Sequence, residues 1–437
     1  MYRVGFGDFF LLTLRAPDGT PLHVLIDCGV HAANLGTIGQ AIKQLAADTG
    51  KQLALVIMTH HHADHISGFA IGKDDFKDFT VERVWMPWFD DPANKTAVSV
   101  QNNLTALATH LQLGLAERGP NDQFRAMAEN ITGTMSAAGA SNDVAMATLR
   151  GGFKNPAPVD YYKAGDPATL PDSLARIGLV AKILGPPGPN QLDLVAQMDN
   201  NAYQYLAAGT QDDAPPARIN DAFKATKDDY PGEAFELFSA AKIAQQIAAA
   251  QPDVLAAQAQ KADNTINNQS LVVHFTYGGK TMLFAGDAQW GNWDNFLFDG
   301  AVVGNTTPLT ASSKTILSTL DFYKVGHHGS RNATPIPAVS NMRDGVVAMC
   351  STQPGAYGSA AVKNPDGSLK KDETFVPQQP LLNALDAKTQ HHLARSDQVG
   401  VTGVTLDQSK PQQKTDTDPL PPIFKKNDQL GYIDYEM

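Results

Sequence analysis

Short apolar runs recur along the chain, and several of them end in an abrupt change of polarity. Residues 53–58 (LALVIM) carry no charge and read as a strand buried on both faces. Polarity flips within the next two residues, into His60-His61-His62-Ala63-Asp64-His65, and Gly68 with the mixed residues after it suggests a short helix starting. A second pattern runs from Ser270 to Gln289, where two apolar strands flank Tyr277-Gly278-Gly279-Lys280, a hairpin turn signal. That pair ends in Gly286-Asp287. A third short strand, within Asp321–Val325, ends in His327-His328-Gly329-Ser330. Strands that deliver histidine and aspartate at their carboxyl ends predict an α/β fold with a site built from strand-end loops.

The chemistry of those loops follows from residue type and spacing. Four of the twelve histidines fall within the six residues 60–65, with Asp64 among them. His60 and His62 are two apart, so in an extended loop they project to the same side. Asp64 and His65 follow just beyond. Imidazole with carboxylate suits zinc, and manganese or iron less strongly. Two ligands on one side and two beyond suit two neighbouring metals. Gly279-Lys280-Thr281 is not a phosphate loop, because the glycine required five residues earlier is His274. Gly5-Phe6-Gly7-Asp8 lacks the third glycine and the helix of a dinucleotide fingerprint.

His60-x-His62-x-Asp64-His65 resembles the signature of the metallo-β-lactamase-fold hydrolases. The resemblance implies that these four residues bind metal, with His61 at a variable position. It gives Asp287 the role of a metal-bridging aspartate. His327-His328-Gly329-Ser330 is similar to the late histidine motif of one branch, the hydrolase domain of bacterial competence (DNA-uptake channel) proteins and their soluble relatives. Phosphorylcholine esterases are similar there too. One of the two histidines is then a ligand and the other faces substrate; spacing leaves the choice open, with His328 the expected ligand and His327 the expected catalytic group. The opening strands, with Ile26-Asp27-Cys28-Gly29, resemble the same branch and imply that Asp27 hydrogen-bonds to the metal-site loop. VVAMCSTQPGAYG and PLLNALDAKTQHHLARSDQVGVTG (Pro380–Gly403) resemble its closing strand, helix and strand, which puts His391 and His392 in the turn after that helix.

Many family members carry one more metal-binding histidine before the hairpin. Here that place holds Asn267 and Asn268, as in the competence-type branch, and His274 reads as a sheet residue. One site is then His60, His62 and a share of Asp287, completed by an asparagine oxygen or water. The other is Asp64, His65, His328 and the remaining share of Asp287. The fold expected is a four-layer αβ/βα sandwich, as a single domain over 1–437 with two divalent ions, zinc first and manganese as alternative. Residues of about 91–166 and 189–262 are rich in Ala, Asn and Gln and read as helical insertions near the catalytic face. Trp85 reads as core, with Trp88 and Phe89 at the start of the following loop. The tail after Val404 reads as an extended arm.

Composition adds limits. No stretch approaches the ~20 apolar residues of a membrane span. The opening MYRVGFGDFF lacks a basic head and apolar core, so a cytoplasmic location is expected. Cys28 and Cys350 read as buried free thiols. The net charge of −11 argues against a broad nucleic-acid surface. It leaves room for a phosphodiester at a metal centre, where the ions dominate the local charge. Ser330, Lys324 and Arg331, beside the His-His-Gly-Ser motif, are the candidate substrate contacts. The expected activity, by branch resemblance, is hydrolysis of a phosphodiester or related phosphate ester by a metal-bound hydroxide that Asp287 holds in place, with Asp64 and His327 as the catalytic residues and metal and His327 stabilising the attacked group. The alternatives are hydrolysis of a lactam, lactone or thioester, and a non-catalytic protein that uses the fold for binding.

Overall fold

The computed structural model describes residues 1–31, 33–104, 142–197, 204, 264–302, 307–356, 362–363, 369–370 and 375–437. In the first half, β1 (Phe9–Arg15) and β2 (Pro21–Cys28) form an antiparallel pair. They are followed by α1 (Ile38–Thr49), β3 (Gln52–Ile57), α2 (Ala63–Ile71) and β4 (Thr80–Pro87). Then come α3 (Asn142–Gly151) and β5 (Val159–Tyr162). The sheet order is β1-β2-β3-β4-β5, parallel from β2 onward. The second sheet holds β6 (Val180–Gly185), β7 (Val272–Tyr277), β8 (Lys280–Phe284), β9 (Phe322–Lys324), β10 (Val347–Cys350) and β11 (Leu393–Arg395). Its order is β11-β10-β9-β8-β7-β6, an antiparallel meander from β6 to β8 that continues in parallel to β11. The helices α4 (Trp290–Phe298), α5 (Ala311–Ser318) and α6 (Gln379–Lys388) belong to this half.

Strand alternation explains the layering. Ile26, Leu55, Ile57 and Trp85 of the first sheet meet Val273, Phe275, Met282 and Phe284 of the second in one buried cluster. Trp85 and Phe275 stack between the sheets, with centroids 6.4 Å apart and planes 21° off parallel. The alternate residues Leu25, Val56, Val84 and Met86 face outward, under Ile42 and Leu45 of α1, Ile66 and Phe69 of α2, and Leu149 of α3. Leu283, Tyr323 and Ala348 face the opposite helix layer, under Trp293, Leu297, Leu317 and Leu385. The result is an αβ/βα sandwich, as expected. The predicted hairpin joins β7 to β8 through Gly278 and Gly279, both at positive φ (56° and 78°), with Tyr277 opposite Lys280. Cys28 and Cys350 are buried free thiols. Among the described residues, no helix is long and apolar enough to cross a membrane.

Two readings of the periphery need correction. The segment 91–166 is not wholly an insertion: its end forms α3 and the strand β5, paired with β4 from Val84↔Val159 to Pro87↔Tyr162. Three of the four residues of this edge strand are half-buried, so it leaves no apolar run in the sequence. The tail is not simply an extended arm. Its end folds into an antiparallel hairpin, β12 (Phe424–Asn427) and β13 (Tyr432–Tyr435). Phe424 and Ile433 enter the core between the sheets, enough apolar surface to dock an otherwise polar strand pair. Trp88 and Phe89 are buried, with Trp88 Nε1 donating to Pro187 O at 2.9 Å. The rest of both supposed insertions (105–141, 198–203 and 205–263), including His110, lies outside the described residues.

Candidate metal centre

The carboxyl ends of five strands meet at one place. Asp27 lies near the end of β2, His60 beyond β3, Asp287 beyond β8, His327 and His328 beyond β9, and Ser351 beyond β10. Three of these sit in the left-handed backbone region that side chains ordinarily avoid: Asp27 (φ 54°), His327 (φ 40°) and His328 (φ 51°). Such positions cost about 1–3 kcal/mol each and collect at functional sites. The loop after β2 also presses on the first turn of α2. A Cβ on Gly29 would lie 2.4 Å from the backbone of Asp64 and His65. The Asp8 N–H donates to Asp64 O at 2.9 Å, and the Gly29 N–H to Asp8 O at 2.9 Å. Backbone packing thus fixes where Asp64 and His65 enter the site.

Asp64, His65, Asp287 and His328 are all buried and offer ligand atoms within 4.8 Å of one another. His65 Nε2 lies 3.1 Å from Asp287 Oδ2. His328 Nε2 lies 3.3 Å from the same oxygen and 3.1 Å from Asp64 Oδ2. The outer nitrogens of both rings are anchored. His65 Nδ1 donates to Asp27 Oδ2 at 2.7 Å, and His328 Nδ1 donates to Ser351 O at 3.0 Å. Asp27 also accepts from Thr59 N (2.8 Å) and Thr59 Oγ1 (2.7 Å). These bonds turn both Nε2 atoms inward, the role outer carboxylates and carbonyls play around metal-ligating histidines. Beside this group, His60 Nε2 and His62 Nδ1 face each other at 3.1 Å. Among the described residues no third His, Cys, Asp or Glu ligand atom completes a cluster with that pair.

The electrostatics separate the two histidine pairs. Burial pushes the His60 imidazole well below its usual range and His62 down to about 3, so both present neutral rings. Burial also opposes charge on His65 and His328. Asp287 and Asp27 outweigh it for His65, and Asp287 with Asp64 raises His328 to about 10. Asp287 is held well below the carboxylate range despite its burial, because His65 and His328 face it. Two imidazolium charges therefore stand where the carboxylates converge. One further acceptor, Asp64 Oδ1, is buried with no hydrogen-bond partner among the described residues. Mixed nitrogen and oxygen donors at this spacing, with an acceptor left over, fit a divalent cation that replaces those protons.

The other candidate residues fall in different places. His327 donates its backbone N–H to Asp287 Oδ1 (3.1 Å), while its Nδ1 lies 2.9 Å from Asn332 Oδ1 and 2.8 Å from Ser330 Oγ. Ser330 Oγ gives its own proton to Asn332 Oδ1 (2.6 Å), and Gln289 Nε2 lies 3.3 Å from the same Nδ1, so three polar side chains converge on that nitrogen and hold the ring. Burial lowers the His327 pKa. Asn268 turns to α4: its Oδ1 accepts from Asn292 N at 3.1 Å and its Nδ2 donates to Val195 O at 3.2 Å. Its amide oxygen is thus committed away from the imidazoles. Asn267 is buried nearby. Lys324 is not a surface cation beside the substrate. It is 2% exposed, pairs with Asp8, donates to Gly286 O at 3.0 Å and lies 3.5 Å from Asp287 Oδ1. Its strand position points it beneath the centre, where Asp8 and Asp287 hold its charge against burial. Arg331 is half-buried in the loop after the histidine motif.

His61 Nδ1 faces Asp90 Oδ1 at 3.4 Å, and His274 lies within β7 opposite Lys182 and Leu283, outside the cluster. His391 is exposed, in the turn after α6, on Asp386. Sequence reasoning missed Asp8, Thr59, Ser270 and Ser351 as parts of the site. Ser270 Oγ accepts from Asp287 N at 3.0 Å and lies 3.3 Å from His60 Nδ1, joining the two halves. Asp8 had a signal, the Gly5-Phe6-Gly7-Asp8 stretch; the hydroxyls had none beyond adjacency to a strand.

Residues 18–103 match the family model described as Metallo-beta-lactamase superfamily, a span that holds Asp27 and the whole His60–His65 loop. No curated protein matches the chain.

Proposed function

We propose that this metallo-beta-lactamase superfamily domain is a metal-dependent hydrolase that cleaves a phosphodiester or related phosphate ester. The convergence of Asp64, His65, Asp287 and His328 within 4.8 Å carries the reading. Two divalent ions, zinc first and manganese second, suit the donors. Asp64, His65, His328 and Asp287 would hold one, and His60, His62 and a share of Asp287 the other. Bound there, the ions supply Lewis acidity and bring the pKa of water toward neutrality.

The chain's own residues supply orientation and proton handling. Asp27 and Ser351 hold the His65 and His328 rings by their outer nitrogens. Ser270 fixes the backbone of Asp287. His327, its ring held at Nδ1 by Asn332, Ser330 and Gln289 and its charged form disfavoured by burial, is placed to take a proton and return it. The choice of a phosphate ester over a carbonyl rests on resemblance to the competence-type branch, supported by its His327-His328-Gly329-Ser330 motif and by asparagine at 267 and 268. A cytoplasmic location is part of the proposal, consistent with two buried free thiols.

The test is turnover by zinc- and manganese-loaded protein of phosphodiester, phosphomonoester, nitrocefin and acyl-thioester substrates, with His62→Ala and Asp64→Ala as controls. Phosphodiester turnover that both controls lose is expected. Turnover of nitrocefin or thioester alone assigns a carbonyl hydrolase instead. Equal inactivity of wild type and controls on every substrate, with stable partner capture by Asp64→Ala, assigns a binding protein.

A further inference from the structure

We propose that Lys324 and Asp8 form a positioning pair that sets the charge of the metal centre and so its preference for an anionic ligand, an inference that rests on the metal-centre reading above. Lys324 Nζ is buried beneath the site and, among the described residues, its polar contacts lie at the rear: Asp8, Gly286 O at 3.0 Å and Asp287 Oδ1 at 3.5 Å. Asp8 in turn lies behind both anchored histidines, 3.5 Å from His328 Nδ1 and 3.8 Å from His65 Nδ1. Asp287 is thereby divided. Its Oδ1 faces the ammonium and the His327 N–H, and its Oδ2 faces the two imidazole Nε2 atoms.

The pair acts through charge that no solvent screens. With all four carboxylates ionised, Asp64 and Asp287 among the ligands and Asp8 and Asp27 directly behind them stand against Lys324 alone, three net negative charges in all. Two divalent ions carry four positive charges, so the loaded centre holds one in excess, which an anion neutralises. Without Lys324 that excess is gone; without Asp8 it doubles. In a poorly screened interior, one unit charge at this range changes affinity on the order of tenfold. Lys324 cannot itself grip the substrate, because it is enclosed; it acts through Asp287 and the field.

The test uses the full chain as wild type, Asp8→Asn, Lys324→Met and the double variant. Zinc affinity is measured by chelator competition, and inorganic phosphate binding to the zinc-loaded protein by calorimetry. Phosphate is expected to bind tightest to Asp8→Asn, equally to wild type and the double variant, and about tenfold more weakly to Lys324→Met. Zinc affinity should follow the reverse order. That opposition marks a charge effect, since a merely structural pair would lower both together. Zinc and phosphate affinities falling together, or a double variant that keeps the Lys324→Met defect, would overturn the proposal. Should Lys324→Met not fold, the double variant must still bind phosphate more weakly and zinc more tightly than Asp8→Asn; equality sinks the idea. A chain that shows the series yet hydrolyses no phosphate ester keeps the pair and loses the proposed function. Turnover with a flat series does the reverse.

Discussion

Asp27→Asn isolates the orientation of one ligand from the chemistry of the centre. The carboxylate is almost fully buried and accepts three hydrogen bonds, from Thr59 N at 2.8 Å, Thr59 Oγ1 at 2.7 Å and His65 Nδ1 at 2.7 Å. Asparagine has the same shape but only one acceptor atom. With that oxygen on the Thr59 N–H, the amide NH₂ faces Thr59 Oγ1 and His65 Nδ1. The threonine hydroxyl can rotate to accept. The imidazole can accept only by moving its proton to Nε2, the nitrogen aimed at Asp287 and the metal position. The substitution therefore blocks a ligand atom without moving the ring. Outer-partner losses of this kind cost about 10–100-fold in metal affinity, or roughly 1.4–2.8 kcal/mol. The metal-free fold should also weaken, because a charged hydrogen bond worth about 1.5–3 kcal/mol is lost. Zinc competition against a chelator, beside urea denaturation of the metal-free protein, reads the two effects separately. If the variant loses fold stability but binds zinc as tightly as wild type, the tautomer argument is wrong and Asp27 serves only the Thr59 loop.

Three further outcomes are expected. Gly29→Ala should abolish tight zinc binding and destabilise the fold by about 1–3 kcal/mol, because its Cβ meets the Asp64–His65 backbone at 2.4 Å; chelator competition and thermal melting check it. His274 is buried in β7 with neither ring nitrogen hydrogen-bonded among the described residues, and burial lowers its pKa to about 4. The unfolded chain protonates it below about pH 6.5 while the fold does not, so its contribution to stability is lost as pH falls from about 6.5 toward 4, by roughly 2–3 kcal/mol. His274→Leu should lose that part of the acid sensitivity in urea titrations at pH 7 and pH 5; parallel curves would refute the assignment. During stepwise dialysis of the two-metal protein against a chelator, the His60–His62 position should empty before the Asp64–His65–Asp287–His328 position, since it lacks a third protein ligand of its own. Replacing Asn267 with histidine should slow that first loss, and metal analysis with simultaneous loss from both positions would refute the ranking.

The core strands were legible because two physical signals coincided in them. A strand covered on both faces has no polar position, so LALVIM announced β3, and the polarity flip after it marked where the chain left the sandwich. The Gly278-Gly279 pair marked the β7–β8 hairpin by backbone conformation alone. β5 lacked such a signal: as a half-buried edge it reads like its polar surroundings. The terminal hairpin lacked one too, because its docking depends on Phe424 and Ile433 in a polar tail.

The site divides along a similar line. Its candidate ligands are legible because imidazole and carboxylate placed directly after an apolar strand have few structural uses. Their orientation is not. Ser270, Thr59 and Ser351 act through single hydrogen bonds whose partners are fixed by the meeting of two sheets, and serine or threonine at a strand end is common without any such role. Lys324 shows the sharper limit. Its position beside His327 and His328 pointed to the site, but the strand's alternation decides which side of the centre a residue enters. Sequence proximity placed it with the substrate; the β9 pleat places it behind Asp287, where its charge acts on the ligands instead.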